Sequence, residues 1–343
     1  MSSEIRPRLR RTFSVIGHDP DTVELRTGVW NARSYTLTDS SRSGKLYRIV
    51  AALDGTVSRR ELAQREDVSR SDVEAALDQL YSLGAIEDRP SSALDAYLDG
   101  GSSLGIASEL AVRAMLVLGD EELATGVRAQ VETAMDGQVT VTGDPGLWGR
   151  LADADLGTIE DPLAMERLAE DFAAWDGALV IYVDRAVHLG AATVLNRIAL
   201  RRGFPWLHAV IDEPFLLVGP TILPHRSACY ECFETRIAMN LREKASYQGY
   251  KQALTRRGFR GGRSPVLPPL LAMLTAHTSL EACNFALSGS TYTCEKVLGI
   301  YVPAMEISYH EVLPVPGCEG CGSQVGRDDS SLYFDPRAWL EGA

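Results

Sequence analysis

The sequence predicts an α/β protein in two parts: a small module of three strands and three short helices, then a Rossmann-type domain carrying a four-cysteine zinc site. Three observations predict it. Apolar residues alternate near the N-terminus and then take up helical spacing; fully apolar strands later alternate with amphipathic helices; two CxxC pairs stand at Cys229/Cys232 and Cys318/Cys321. Composition shifts place the first module at residues 1–90, a linker at 91–110 and the second domain at 111–343.

In the first module, Phe13 and Val15, then Val23 and Leu25, alternate as in strands, with Gly17 and Gly28 near the turns. A third strand is predicted at Arg33–Thr38. Helical spacing follows at Ser43–Leu53, through Leu46, Ile49, Val50 and Leu53. Ser58 can cap a second helix containing Leu62, and Ser71–Leu83 presents Val73, Leu77, Leu80 and Tyr81 before Gly84 stops it. This order resembles a winged helix-turn-helix, which ordinarily suggests DNA. The third helix argues against that, because Asp72–Leu83 carries three carboxylates and no Lys or Arg to meet phosphates.

The stretch RPSSALDAYLDGGSS (89–103) reads as linker. Beyond it, strands are predicted at Ala114–Leu118, Val139–Thr142, Ala178–Val183 and Trp206–Val210. Helices lie between them at Leu123–Met135, Leu163–Phe172 and Ala191–Arg202, which implies a parallel sheet covered on both faces. Gly143, Gly146 and Gly149, with Pro145 among them, read as a loop. A strand at Phe215–Val218, a polar Arg-rich stretch at Leu241–Arg263, a long apolar helix at Leu267–Leu287 and further strand-like sequence complete the domain.

The chain has 343 residues, 45% hydrophobic and 23% charged, so it has ample apolar material for a core without help from a metal. Its net charge of −12 argues against a nucleic-acid partner. The basic start (Arg6, Arg8, Arg10, Arg11) lacks an apolar region behind it, and the apolar runs near Val180 and at Val266–Met273 are too short to span a bilayer. A cytoplasmic protein without a membrane partner is expected. The Arg-rich stretch (Arg256, Arg257, Arg260, Arg263, with Lys244 and Lys251) reads as a solvated loop, with an acidic peptide or partner as the other reading.

In a reducing compartment, CxxC pairs serve as metal ligands or redox dithiols. Two thiolates on a tight knuckle supply half of a tetrahedral zinc site, and a second knuckle completes it. Cys229-Tyr-Glu-Cys232 and Cys318-Glu-Gly-Cys321 are 85 residues apart, with Gly317, Gly320 and Gly322 giving the second knuckle its tight backbone. Four sulfurs close the coordination sphere, so the expected zinc is structural. Cys283 and Cys294 read as small apolar side chains.

A nucleotide-binding turn would read GxGxxG after the first apolar strand. Here Gly119 remains, but Glu121 and Ala124 hold the other two positions, and Asp120-Glu121-Glu122 would repel a polyphosphate. ATP is therefore not expected to bind this chain. Asp144 and Asp184 sit at the carboxyl ends of strands, where ligands usually bind. His188, His208 and His225 read as ordinary loop or core histidines.

The segment GFPWLHAVIDEPFLLVGPTILPHRSACYECFETR, the long apolar helix after it and the closing PVPGCEGCG resemble ThiF/MoeB-type (E1-like) proteins. More closely, the chain resembles the ThiF-like partner proteins of YcaO-dependent azoline- and azole-forming peptide cyclodehydratases. That resemblance implies an N-terminal winged-helix precursor-peptide recognition element and a degenerate E1-like domain with four zinc cysteines. The implied role is a scaffold that binds the leader of a ribosomally made precursor and recruits it to a separate YcaO enzyme, since only 22 residues follow Cys321. The implied groove lies between the third strand and third helix, with Tyr35, Leu37, Val73, Leu77 and Tyr81 as contacts, several of which could instead fill the module's core. No catalytic residue is expected, and dimerisation to a homodimer is expected from the resemblance alone. Two other readings stay open: an ATP-dependent E1-like adenylating enzyme acting on a peptide or carrier protein, and a ligand-sensing transcription factor.

Overall fold

The computed structural model describes residues 6–30, 32–87, 92–94, 97, 109–154, 156–253 and 265–322. The chain divides into two compact units, Met1–Ser103 and Leu104–Ala343. Most of the predicted linker, and Arg256, Arg257, Arg260 and Arg263, lie outside the described residues.

In the first unit, strands β2 (Ser14–Asp19), β3 (Thr22–Thr27) and β4 (Arg33–Thr38) form an antiparallel sheet in that order, with β3 central. Three helices follow: α1 (Leu46–Ala51), α2 (Arg59–Arg65) and α3 (Arg70–Ser82). Ser58 caps α2 in a reciprocal capping box with Glu61, and Ser69 caps α3 through Asp72 N–H. Val23, Leu25, Leu37, Ile49, Leu62, Val73, Leu77 and Leu80 make one core under the sheet and helices. A short ladder pairs β1 (Arg8–Leu9) with β5 (Ile86–Glu87), closing the ends of the unit together. Each strand of that ladder is only two residues long, too short for alternation to show in the sequence.

The second unit holds a seven-stranded sheet in the order β12-β11-β10-β9-β8-β6-β7. Strands β6 (Ala114–Gly119), β7 (Thr140–Gly143), β8 (Leu179–Asp184) and β9 (Trp206–Asp212) run parallel. The remaining three, β10 (Phe215–Ile222), β11 (Lys296–Tyr301) and β12 (Glu306–Glu311), extend the sheet antiparallel, so it is mixed. Leu116, Leu118, Val180 and Tyr182 share a core with α5 (Pro145–Asp153), α7 (Pro162–Asp171) and α8 (Leu189–Arg202). Period-two alternation turns Met115, Val117, Ile181 and Val183 to the opposite face. There α4 (Glu121–Ala134) packs along α11 (Pro268–Ser288), and each also touches the sheet. Every residue of β8 is buried, as expected for a strand covered on both sides. Gly203 and Gly289 end α8 and α11 in left-handed conformations.

One segment corrects the sequence reading. Gly143 ends β7, and Gly146 and Gly149 lie in helix α5 and not in a loop: Asp144 caps it through Leu147 N–H at 2.8 Å, with Pro145 at its first position. Proline there loses no hydrogen bond and its fixed φ already suits a helix. A one-turn helix, α6 (Gly157–Glu160), also goes unsignalled. The remaining helices are α9 (Tyr230–Asn240) and α10 (Lys244–Ala253), the latter inside the predicted polar stretch. Among the described residues no helix is long and apolar enough to cross a membrane.

Candidate functional site

The four knuckle cysteines converge. Cys229 ends the loop before α9 and Cys232 lies in its first turn, while Cys318 and Cys321 lie in the turns after β12. All four are buried, and their sulfurs lie within 4.8 Å of one another. Sγ–Sγ distances are 3.8 Å (Cys229–Cys232), 3.7 Å (Cys229–Cys318) and 3.6 Å (Cys232–Cys321). A tetrahedron with metal–sulfur bonds of about 2.3 Å has edges of about 3.8 Å, so this donor set fits a thiolate-bound metal ion. The Val315 N–H donates to Cys232 Sγ at 3.3 Å, a bond that favours the thiolate.

The glycines around the second knuckle divide the work. Gly317 and Gly322 take positive φ (69° and 59°). At Gly320 the requirement is space, because a Cβ there would meet the Glu231 carboxylate at 2.5 Å. Glu231 accepts two bonds from Arg197 (2.6 and 2.7 Å) and one from Asn196 (3.2 Å), which ties the first knuckle to α8. Asn196 Oδ1 also accepts from Tyr230 N–H.

The turn after β6 has the opposite character. Asp120 caps α4 through Leu123 N–H, and Arg185, just past β8, donates to Asp120 at 2.7 and 3.0 Å and to Glu122. Those carboxylates push the guanidinium's pKa further up. Arg128 takes Glu121 at 3.2 Å, and its guanidinium fills the space beside Gly143. Two arginines that could have met phosphates are thus held by the turn's own acids. Gly119 itself has φ +125°, and a Cβ on it would overlap the Val183 carbonyl of the neighbouring strand. Close approach of β8 therefore accounts for this glycine without any phosphate.

Asp184 ends β8, 3% exposed, and accepts from Arg185 N–H at 2.7 Å. Burial raises its pKa, opposed by His188. Asp144 is spent as the α5 cap. His225 Nε2 bonds the Leu200 carbonyl at 2.9 Å, a structural contact. Cys283 is buried and Cys294 partly so.

The five predicted groove residues separate into two groups. Leu37 (5% exposed), Val73 and Leu77 (both 0%) lie in the first unit's core, the alternative the sequence left open for them. In a module this small the inward faces of β4 and α3 are needed, with those of β3, α1 and α2, to make that core. Tyr35 (38%) and Tyr81 (36%) are exposed. Tyr35 meets Phe13 edge-on at 6.1 Å, and the Arg59 guanidinium lies 5.7 Å from the centre of the Tyr81 ring. Among the described residues β4 pairs only with β3, so none of them forms a strand on its other edge.

Sequence reasoning missed Arg185, Arg128 and the Arg197–Glu231 pair. Each acts across a long sequence separation or at a register that local pattern does not encode.

No protein-family model matches the chain, and no curated protein matches it. Solved structures do. The heterocyclase TruD aligns with a TM-score of 0.61 at 20% identity, over 92% of this chain and 43% of that one. A heterocyclase in complex with substrate and cofactor aligns at 0.60 and 16%, over 92% of this chain and 39% of that one. This chain thus spans about two fifths of the length of the heterocyclases it matches. At such identities the likeness is one of fold, and the large mixed sheet flanked by helices is consistent with an E1-like architecture.

Proposed function

We propose that this chain is the leader-peptide-binding partner of a separate YcaO-type cyclodehydratase, holding a ribosomally made precursor while azolines or azoles form in it. The observation that carries the reading is the edge of β4, unpaired among the described residues, beside exposed Tyr35. An extended leader can add there as a fourth strand, with backbone hydrogen bonds for affinity and Tyr35 and Tyr81 for selectivity. Tethering the leader raises the local concentration of the modifiable segment at the enzyme. The fold shared with heterocyclases supports the class, and the four cysteines are assigned a structural zinc ion. In this reading the chain supplies no catalytic residue and acts in the cytoplasm, as a homodimer.

The test is a titration of the chain with a fluorescent leader peptide taken from a short precursor gene beside its own. Saturable binding weakened about tenfold or more by Tyr35→Ala, with unchanged melting temperature, is expected. Affinity unchanged from the parent in both Tyr35→Ala and Tyr81→Ala would sink the groove.

The rival reading is an ATP-dependent E1-like adenylating enzyme, favoured by buried Asp184 at the end of β8. Against it stand the arginines consumed at the Gly119 turn. Clear ATP affinity, or pyrophosphate exchange by the purified chain, would reverse the preference.

A further inference from the structure

A cavity of about 500 Å³ opens at the carboxyl ends of β8 and β9, and none of the four clustered cysteines lines it. That volume is in the range of small-molecule sites. Its wall is aromatic, with Tyr230 and Phe233 from α9 and Tyr247 and Tyr250 from α10.

The charges around it are unbalanced. Arg185 reaches the cavity, but its guanidinium is held by Asp120 and Glu122. Glu234 is satisfied too, accepting from the Tyr247 hydroxyl at 2.6 Å and from Lys251 at 2.8 Å. Asp212 and Glu213, in the turn between β9 and β10, have no ion-pair partner among the described residues. These two carboxylates therefore leave uncompensated negative charge beside the cavity. An anionic ligand would meet repulsion here.

His208 lines the cavity with its ring almost wholly buried. Its Nδ1 lies 3.1 Å from the Gly219 carbonyl, which can only accept, so Nδ1 carries the hydrogen. Burial holds the imidazole at about 4, hence neutral at pH 7. Nε2 is then a bare acceptor, and it has no partner among the described residues. A buried acceptor left unpaired is costly.

We propose that this cavity binds an organic cation, an ammonium or guanidinium group on an apolar or aromatic stem. The aromatic wall attracts the charge, and Asp212 and Glu213 neutralise it. The site is independent of the leader groove, so either reading can fail alone.

Calorimetry on the full chain with tyramine, 4-ethylphenol and 4-hydroxyphenylacetate tests it, because these share a ring and differ in charge. Tyramine is expected to bind about tenfold or more tighter than the neutral phenol, a difference of about 1.4 kcal/mol, and the acid weakest. In the double variant Asp212→Asn/Glu213→Gln, whose changes are at exposed positions, that preference should fall to about threefold or less. An acetylated, amidated Gly-Lys-Gly peptide provides the second arm: tighter binding than tyramine identifies a peptide side chain as the source, weaker binding a free amine. Equal or better binding of the acid, no saturable tyramine binding at millimolar concentration, or an unchanged preference in a double variant that melts like the parent would each overturn the proposal.

Discussion

Two places in the second unit could hold a charged guest, and they have been left in opposite states. At the Gly119 turn every acid has an internal arginine: Arg185 serves Asp120 and Glu122, and Arg128 serves Glu121. At the cysteine cluster the thiols meet each other and backbone N–H groups, with no cationic side chain bonded to them among the described residues. The difference teaches how to read a degenerate site. A closed site has its polar atoms paired from within, whereas an open one keeps donors or acceptors that the fold does not satisfy. By that criterion His208 Nε2 belongs with the cysteines and Asp120 does not.

The contrast breaks first at the cluster if it is wrong. Cys229→Ala should cost on the order of 5 kcal/mol or more and drop bound zinc from about one ion per chain to near zero. Metal analysis together with denaturant unfolding reads both, and full stability with no metal in the parent would make the thiols an ordinary core.

Acid titration gives the next effect. His208 is held down to about 4 against an ordinary value near 6.5, so the unfolded chain binds its proton first as pH falls. Stability from this group is therefore complete above about pH 6.5 and is lost progressively down to about pH 4, by on the order of 3 kcal/mol. His208→Gln should flatten that limb of the stability–pH curve. If the limb is unchanged, other groups carry it.

The Gly119 turn sharpens the comparison through a smaller cost. Gly119→Ala should lose at least ~2 kcal/mol, because the new Cβ meets the Val183 carbonyl at a φ that alanine avoids. Arg185→Ala should lose about 2 kcal/mol, less than the ~3–5 kcal/mol of a fully buried pair, since the arginine is one-fifth exposed. Both measurements come from urea unfolding. A phosphate-binding turn would instead show little change in stability and a fall in nucleotide affinity.

The smallest effect on stability belongs to the first unit. Tyr35→Ala, at an exposed position, should shift stability within about 0.5 kcal/mol while weakening leader binding. A large loss of stability would move Tyr35 from the groove into the core beside Leu37.

Much of the architecture was legible because it rests on local pattern. Strand β4 falls where alternation put it, and the Ser58 cap follows from Ser and Glu three residues apart. The cysteine cluster was legible for a different reason, since two CxxC pairs have few other uses. What stayed hidden was pairing at a distance. Nothing near Arg185 signals that its partner is 65 residues earlier. Periodicity also could not say which apolar residues faced outward: the resemblance put Leu37, Val73 and Leu77 at a groove, while in the fold they are buried. The Asp144-Pro145 start of α5 was legible in principle, but three nearby glycines outweighed it.

The cysteine cluster has one more consequence, in terms of connectivity. Cys229–Cys232 and Cys318–Cys321 bracket α9, α10, α11, β10's partner β11 and the edge strand β12. With a metal in place, that whole span becomes a closed ring of polypeptide. A single backbone cut inside the ring would leave two pieces that still share an anchor, so the chain's integrity there would pass from peptide bonds to four sulfurs.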